Sequence, residues 1–307
     1  MSKLVDEILL KKISSVDLKN IKGAYNIRKN GKKLMRNTTP NIDIKTKKDK
    51  DGIDIIIKEN TKNETVSIPV IITETGVEEK VYNDFYIGKN SEVTIIAGCG
   101  IHNCGNKKSV HNGIHTFYVG EGAKVKYIEH HYGEGEGTGE RILNPETVVI
   151  LEKGSTLEME SIQIKGVNST ERLTKGILKE DTNFVVSEKI MTHGKQYART
   201  VFDVSLDGVN ASTKVTSRSI AKDNSYQEFV SNVKGNTKCF GHVECDSIIM
   251  DNGRIKAIPQ IEANDVEANL IHEAAIGKIA GEQLIKLMSL GLTEKEAEKQ
   301  IINGFLK

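Results

Sequence analysis

The spacing of apolar positions changes along the chain, and each change predicts a different element. Leu4, Val5, Ile8, Leu9 and Ile13 recur at helical spacing with Lys3, Asp6, Glu7, Lys11 and Lys12 between them, so residues 3–13 read as a short amphipathic helix. Residues 28–52 are polar, lysine-rich and without a clear period, and read as a connector. From about residue 53 short β-type runs take over, at 54–58, 66–72 and 93–96, separated by Gly, Asn and Asp. Beyond His272-Glu273, read as the start of a helix, Ala275, Ile276, Ile279, Ala280, Leu284, Leu287 and Met288 make one apolar face, closed by Gly291 as a C-cap. Thr293-Glu294-Lys295-Glu296 has the form of a capping box opening a second helix, whose stripe is Ile301, Ile302 and Phe305.

The β region repeats itself. Phe85-Tyr86-Ile87-Gly88-Lys89-Asn90-Ser91-Glu92-Val93 matches the segments beginning at Phe117 and at Val149, a register advance of 32 residues each time. Each copy is strand, tight Gly/Asn turn, small residue, strand. Less regular copies follow at 204–211 and 249–255. A fixed period of strand–turn–strand units predicts a β-solenoid, in which one coil cannot bury its apolar face alone and stacked coils bury it together. A propeller needs a longer period and is disfavoured.

Composition adds one asymmetry. The net charge is +1, but residues 1–50 hold 14 Lys/Arg against 5 Asp/Glu. No nucleic-acid motif accompanies this basic stretch and its one aromatic residue is Tyr25, so a solvated arm is expected rather than a nucleic-acid contact. No run of apolar residues approaches a membrane span, and Asp6 and Glu7 interrupt any signal-like core, so a cytoplasmic protein is expected. Four cysteines are too few for a disulfide scaffold.

The candidate chemistry lies in Cys, His and carboxylate residues. The cysteines, Cys99, Cys104, Cys239 and Cys245, lack the C-x2-C spacing of zinc ribbons. Cys99 lies in Ala97-Gly98-Cys99-Gly100, where small neighbours are expected to expose its thiol, and Cys245 lies among polar residues in His242-Val243-Glu244-Cys245-Asp246. His102, His111, His115, His130 and His131 fall close together, and clustered Cys, His and carboxylate suit iron or zinc. Any one of these histidines alone more often lines a polar face. Cys245, His272 and Glu273 would make a mixed thiolate–imidazole–carboxylate site, against the plainer reading of Glu273 as a helix-dipole partner. The glycine-rich run 133–140 carries interleaved glutamates and reads as a loop, and no G-x4-G-K-[S/T] phosphate loop occurs.

Gly241-His242-Val243-Glu244-Cys245-Asp246-Ser247, Pro259-Gln260-Ile261-Glu262, His272-Glu273-Ala274-Ala275-Ile276-Gly277-Lys278-Ile279 and the segment from Gly291 through Phe305 resemble the SufB/SufD iron–sulfur cluster assembly family. The likeness is dense from about residue 236, looser from about residue 80 and thin before 75. It implies a mainly β fold: a right-handed parallel β-helix core at 53–262, a basic N-terminal helical arm and connector at 1–52, and a C-terminal helical region at 263–307.

By that resemblance the chain is a non-enzymatic scaffold on which a transient iron–sulfur cluster is built. Its implied partners are a SufC-like ABC ATPase at the C-terminal helices, a sulfur donor and apo acceptor proteins. Cys99 falls where SufB-like members carry the sulfur-accepting cysteine, and Cys245, His272 and Glu273 fall on cluster-holding positions. Cys104 and Cys239 are expected to be dispensable. Ile271 stands where a glutamate often occurs, and His130-His131 near a glutamine of the sulfur path. Because one chain offers three matched ligands, a homodimer that brings two Cys245 residues together is expected. The alternatives are a metal-dependent β-helix enzyme using the Cys99–His131 cluster, or a structural solenoid that binds partners.

Overall fold

The computed structural model describes residues 2–14 and 21–306. Helix α1 (Ser2–Ser14) precedes four short strands, β1 (Ala24–Lys29), β2 (Lys32–Asn37), β3 (Ile42–Thr46) and β4 (Gly52–Ile57). The coils follow as β5 (Lys62–Ile72), β6 (Glu78–Ile87), β7 (Glu92–His102), β8 (Ser109–Val119), β9 (Lys124–Glu134), β10 (Arg141–Leu143), β11 (Glu146–Leu151) and β12 (Thr156–Lys165). They continue as β13 (Ser169–Leu178), β14 (Asn183–Thr192), β15 (Tyr197–Leu206), β16 (Ser212–Ala221), β17 (Tyr226–Gly235), β18 (Cys239–Ile249), β19 (Arg254–Ala263) and β20 (Ala268–Gly277). Helices α2 (Gly281–Ser289) and α3 (Glu294–Phe305) close the chain.

The strands form a β-solenoid of two facing sheets. One runs β2-β1-β5-β7-β9-β12-β14-β16-β18-β20, the other β19-β17-β15-β13-β10-β8-β6-β4-β3, with β11 also pairing β8 and β13. Pairing is parallel except at the start, where β1–β2 and β3–β4 are antiparallel. The polar segment expected as a connector therefore supplies strands: β2 and β3 lie within it and cover the first coil, with buried Ile42 and Ile44 keeping the alternation that the surrounding lysines obscure.

The sequence repeat is the stacking register. Phe85 pairs with Phe117 and Phe117 with Val149, and the Phe85 and Phe117 rings stack 4.5 Å apart. The column continues through Gly176 to Val204, so the copy at 204–211 is a true equivalent on a shorter coil. The copy at 249–255 is not. Ile249 ends a strand of the other sheet and its turn lies at the opposite corner. Corner residues Asn90, Gly122, Gly154, Asp181 and Asn210 all have φ between 55° and 70°, and this left-handed position explains the Gly/Asn/Asp punctuation.

Helix α1 lies on the outer face of the first sheet. Leu9, Leu10 and Ile13 pack with Ile27 and Ile71. Gly98 makes the close approach possible, since a Cβ there would sit 2.5 Å from the Ile13 carbonyl oxygen and 2.8 Å from that of His130. At the other end, β20 extends the sheet to Gly277, so His272-Glu273 lies on a strand rather than at a helix start. Alternation in Ala268, Leu270 and His272, which face inward, prevails over the helical spacing read across the same residues. Helix α3 opens with the expected capping box, Glu296 N donating to Thr293 Oγ1 and Thr293 N to Glu296 Oε2. Ile302, Phe305 and Leu306 pack against Ile220, Ile248 and Met250 on the solenoid, while α2 buries none of its residues. No described helix is long and apolar enough to cross a membrane.

Candidate functional site

Strand parity decides where each candidate points. On β7, Val93, Ile95, Ala97, Cys99 and Ile101 face the interior, so Cys99 is buried at 2% exposure. Gly98 and Gly100 face outward and seat α1 rather than exposing the thiol, which corrects the expectation of an accessible Cys99. Burial, reinforced by the Glu79 and Glu129 charges, holds the Cys99 thiol well above its usual range. Around it lie His111, His115, Glu129 and His131, a polar chamber inside the solenoid. His102 and His130 stand on the outward parity of their strands, so the histidine cluster is divided between two faces.

A buried ion-pair network extends from this chamber. Arg172, 3% exposed, pairs through Nη1 with Glu129 Oε2, and its Nη2 lies 3.0 Å from His131 Nδ1. Its Nε lies 3.6 Å from Glu188 Oε1. Tyr127 donates to Glu129 at 3.0 Å, while Thr200 and Ser217 donate to Glu188 at 2.9 and 2.8 Å. Burial would push Glu129 up, but His131 and Arg172 outweigh it and hold the carboxyl well below its usual value. Burial pushes His131 itself down, so near neutral pH the guanidinium is the charge responsible. His115, lowered by burial to about 4, is neutral there too.

The register turns these contacts into two files of inward residues. One column of the first sheet reads Ala97, Glu129, Ser161, Glu188, Ser217 and Cys245. Its neighbour reads Cys99, His131, Gln163, Ile190, Ser219 and Ser247. The two thiols stand at opposite ends, five strand spacings or roughly 24 Å apart. Ser161 Oγ and Gln163 Oε1 are buried along the files and make no hydrogen bond. Sequence reasoning did not single out Glu129, Arg172, Glu188 or Ser217. The available signal was phase: Glu129 keeps the inward phase of Val125 and Tyr127, where an apolar residue is the norm.

Cys245 is 1% exposed, its Sγ 3.9 Å from Ser247 Oγ. Burial pushes its thiol up to about 11, the Ser247 hydroxyl opposing and Glu188 and Asp246 adding. His272 shares the inner face but sits opposite Val243, diagonal to Cys245. Its Nδ1 is 3.5 Å from Ser231 Oγ, its Nε2 is buried without a partner, and burial, then His242, lowers its pKa. Glu273 points the other way, to the outer face, and meets His242 Nε2 at 3.2 Å. The three expected ligands therefore do not converge within one chain, because adjacent residues of a strand face opposite sides. Among the described residues, no three His, Cys, Asp or Glu side chains are grouped to hold a metal ion.

Residues 80–305 match the family described as SUF system FeS cluster assembly, SufBD core domain. A SufBD family iron–sulfur cluster assembly protein of Methanothermobacter thermautotrophicus is 30% identical over 244 residues, 77% of this chain and 57% of the relative. One from Methanocaldococcus jannaschii is 27% identical, over 76% of this chain and 74% of the relative. The iron–sulfur cluster assembly protein SufB of Bacillus subtilis is 36% identical over 102 residues, 32% of this chain and 22% of that protein. The chain thus spans little more than half the length of the Methanothermobacter relative. With most of the chain matched and a β-solenoid under the match, this protein belongs to the SufBD family of the SUF iron–sulfur cluster assembly system.

Proposed function

We propose that the chain is a scaffold for building iron–sulfur clusters, taking up sulfur and iron and holding the nascent cluster at the β18–β20 end. The observation that carries this reading is the pair of files joining buried Cys99 to buried Cys245, in which polar side chains recur from coil to coil along the inner face of one sheet. Buried polar atoms without partners each cost about 1–3 kcal/mol. A solenoid under selection for stability alone would carry apolar residues there, as the column of Phe85, Phe117 and Val149 does. Polar side chains along the axis give sulfur species a hydrated or hydrogen-bonded route. Cys99 then acts as a sulfur-holding residue within the chamber and Cys245 as the thiolate of the cluster site.

Cluster completion requires a second chain in this reading. β19 and β20 end their sheets with unpaired edges, and Ile261, Ile271 and Ile276 are exposed there. A second copy pairing on those edges would bring two Cys245 and His272 sets to one seam, with Glu273 and His242 at its outer side. Mixed ligation suits a product that must leave. The ABC ATPase is assigned to α2 and its C-cap, where Ile285 and Leu290 are 68% and 76% exposed. Phe305, on the apolar stripe of α3, is part of the anchor of that helix on the solenoid.

The test is anaerobic reconstitution with ferrous iron and sulfide. Wild type should hold both, Cys245→Ser should lose most of both, and sedimentation should give a dimer. A cluster retained by Cys245→Ser, or held by a monomer, would overturn the scheme. Ile285→Glu with Leu290→Glu should abolish ATPase co-purification without altering the β-sheet signal.

A further inference from the structure

Of the four cysteines, only Cys104 is exposed. It stands just beyond β7, at the outer side of the same coil that carries Cys99 inward. Its Sγ lies 3.0 Å from His102 Nε2. The other ring nitrogen, Nδ1, is buried, makes no well-aligned hydrogen bond, and faces Glu134 Oε1 at 3.4 Å. His102 and Glu134 are direct partners across the β7–β9 register, so the sheet itself sets their separation. Glu134 is in turn fixed through Oε2 by Lys12 Nζ at 2.9 Å and Tyr132 OH at 3.0 Å. Lys12 also lies over the Tyr132 ring. Burial opposes the charge on Glu134, but the hydrogen bonds from Lys12 and Tyr132, the Lys12 charge and His102 outweigh it and keep the carboxyl below its usual range.

The loop carrying the thiol is pinned. Asn103, fully buried, donates through Nδ2 to the Lys107 carbonyl at 2.8 Å and to that of Gly139 at 3.2 Å, and accepts from Gly105 N at 3.0 Å. A nucleophile, a base within reach of its proton and a carboxylate facing that base form the constellation of an activated thiol. Helix α1 contributes Lys12 to it, a role beyond packing.

We propose that Cys104, His102 and Glu134 form a surface site that takes the outer sulfur of a persulfide, R–S–SH. The destination of that sulfur rests on the scaffold reading above, but the chemistry of the site does not. Cys104 gives its proton to His102 Nε2, and its sulfur forms a new S–S bond to the outer sulfur of the donor. The donor S–S bond breaks, and the leaving thiolate keeps that electron pair and takes the proton from His102. The products are Cys104–S–SH and R–SH. One S–S bond replaces another, so no oxidant or reductant is consumed. Glu134 orients the imidazole and stabilises its protonated form, and Lys12 offers a positive charge to the anionic form of the donor. This assigns a function to a cysteine that the sequence left dispensable and moves uptake from buried Cys99 to the surface.

The test uses the full chain, first with glutathione persulfide and then with a cysteine desulfurase charged with cysteine, so that small-molecule and protein donors are separated. Peptide mass spectrometry should place one added sulfur on Cys104 in wild type and in Cys99→Ser, and none in Cys104→Ser. His102→Gln should slow both sulfur uptake and iodoacetamide alkylation of Cys104 by at least about tenfold near neutral pH, with an unchanged thermal midpoint. Uptake on Cys99 that persists in Cys104→Ser, or a His102→Gln rate equal to wild type, would overturn the site. Cys104→Ser should still assemble a cluster from iron and inorganic sulfide. Its failure to do so would make Cys104 a cluster ligand and refute the acceptor role. Absence of a cluster in wild type under those conditions would refute the scaffold reading alone, because sulfur transfer to Cys104 is read separately, by mass.

Discussion

Replacing Arg172 by Met keeps much of the side-chain length and removes the one cation that serves two buried carboxylates. In the native interior Glu129 and Glu188, at 2% and 5% exposure, face the guanidinium from two directions. Glu129 otherwise meets the Tyr127 hydroxyl and, at 3.6 Å, His131 Nε2, and Glu188 meets the hydroxyls of Thr200 and Ser217. Breaking a buried pair by deleting one member costs about 3–5 kcal/mol, because the orphaned charge stays desolvated. At about 1.5 °C per kcal/mol for 307 residues, the apparent melting midpoint should fall by roughly 5–8 °C. The pH dependence identifies the cause. In wild type, Glu129 is held well below its usual value, so its contribution is complete above the unfolded carboxylate pKa and is lost only as pH falls through the lower folded value. In Arg172→Met the same carboxyl is buried without its cation and rises, so protonation relieves it. The deficit, read by far-ultraviolet circular dichroism melts, should narrow as pH is lowered from about 8 to about 5. Adding Glu129→Gln should recover part of the loss. A midpoint within about 3 °C of wild type, or a deficit flat across that range, would refute the claim that the guanidinium neutralises this interior.

Three further outcomes follow from other contacts. With its thiol pushed up to about 11, Cys245 is protonated near neutral pH, so iron uptake by the anaerobic protein should release a proton there and strengthen toward pH ~10, a rise that Cys245→Ser should lack in isothermal titration. Gly100→Val places a side chain against Leu9 and Ile13 of α1, and should loosen α1 and speed proteolytic removal of that helix by about tenfold or more while the sheet melts as before. Thr293→Ala removes the cap of α3 and should raise amide exchange in that helix roughly fivefold without changing the β-sheet transition.

The sequence alone determined the architecture of the coils. A repeat at 85, 117 and 149 carries its own register, because identical units stacked in parallel place each residue on its counterpart, and Phe85, Phe117 and Val149 do lie in one column. The capping box at Thr293 was equally legible, since its hydrogen bonds join residues three apart. Local pattern misled where two periods overlap. His272 and Glu273 fit a helical stripe and a strand alternation equally well, and the open edge of β18 decided for the strand by pairing every residue from Ala268 to Gly277. The glycines beside Cys99 signalled closeness of backbone, and only the docking of α1 showed that they admit a helix rather than a reagent. Glu129, Arg172 and Glu188 come from three strands in two sheets. Alternation says that each points inward, but it does not say which inward residues meet across the gap between the sheets, because that depends on coil length and corner geometry summed over every turn between them. The same reason hid the outer site: His102 and Glu134 are 32 residues apart, the very spacing of the repeat, yet it took the stacked coils to make them neighbours and a helix from the far end of the sequence to hold the carboxylate in place.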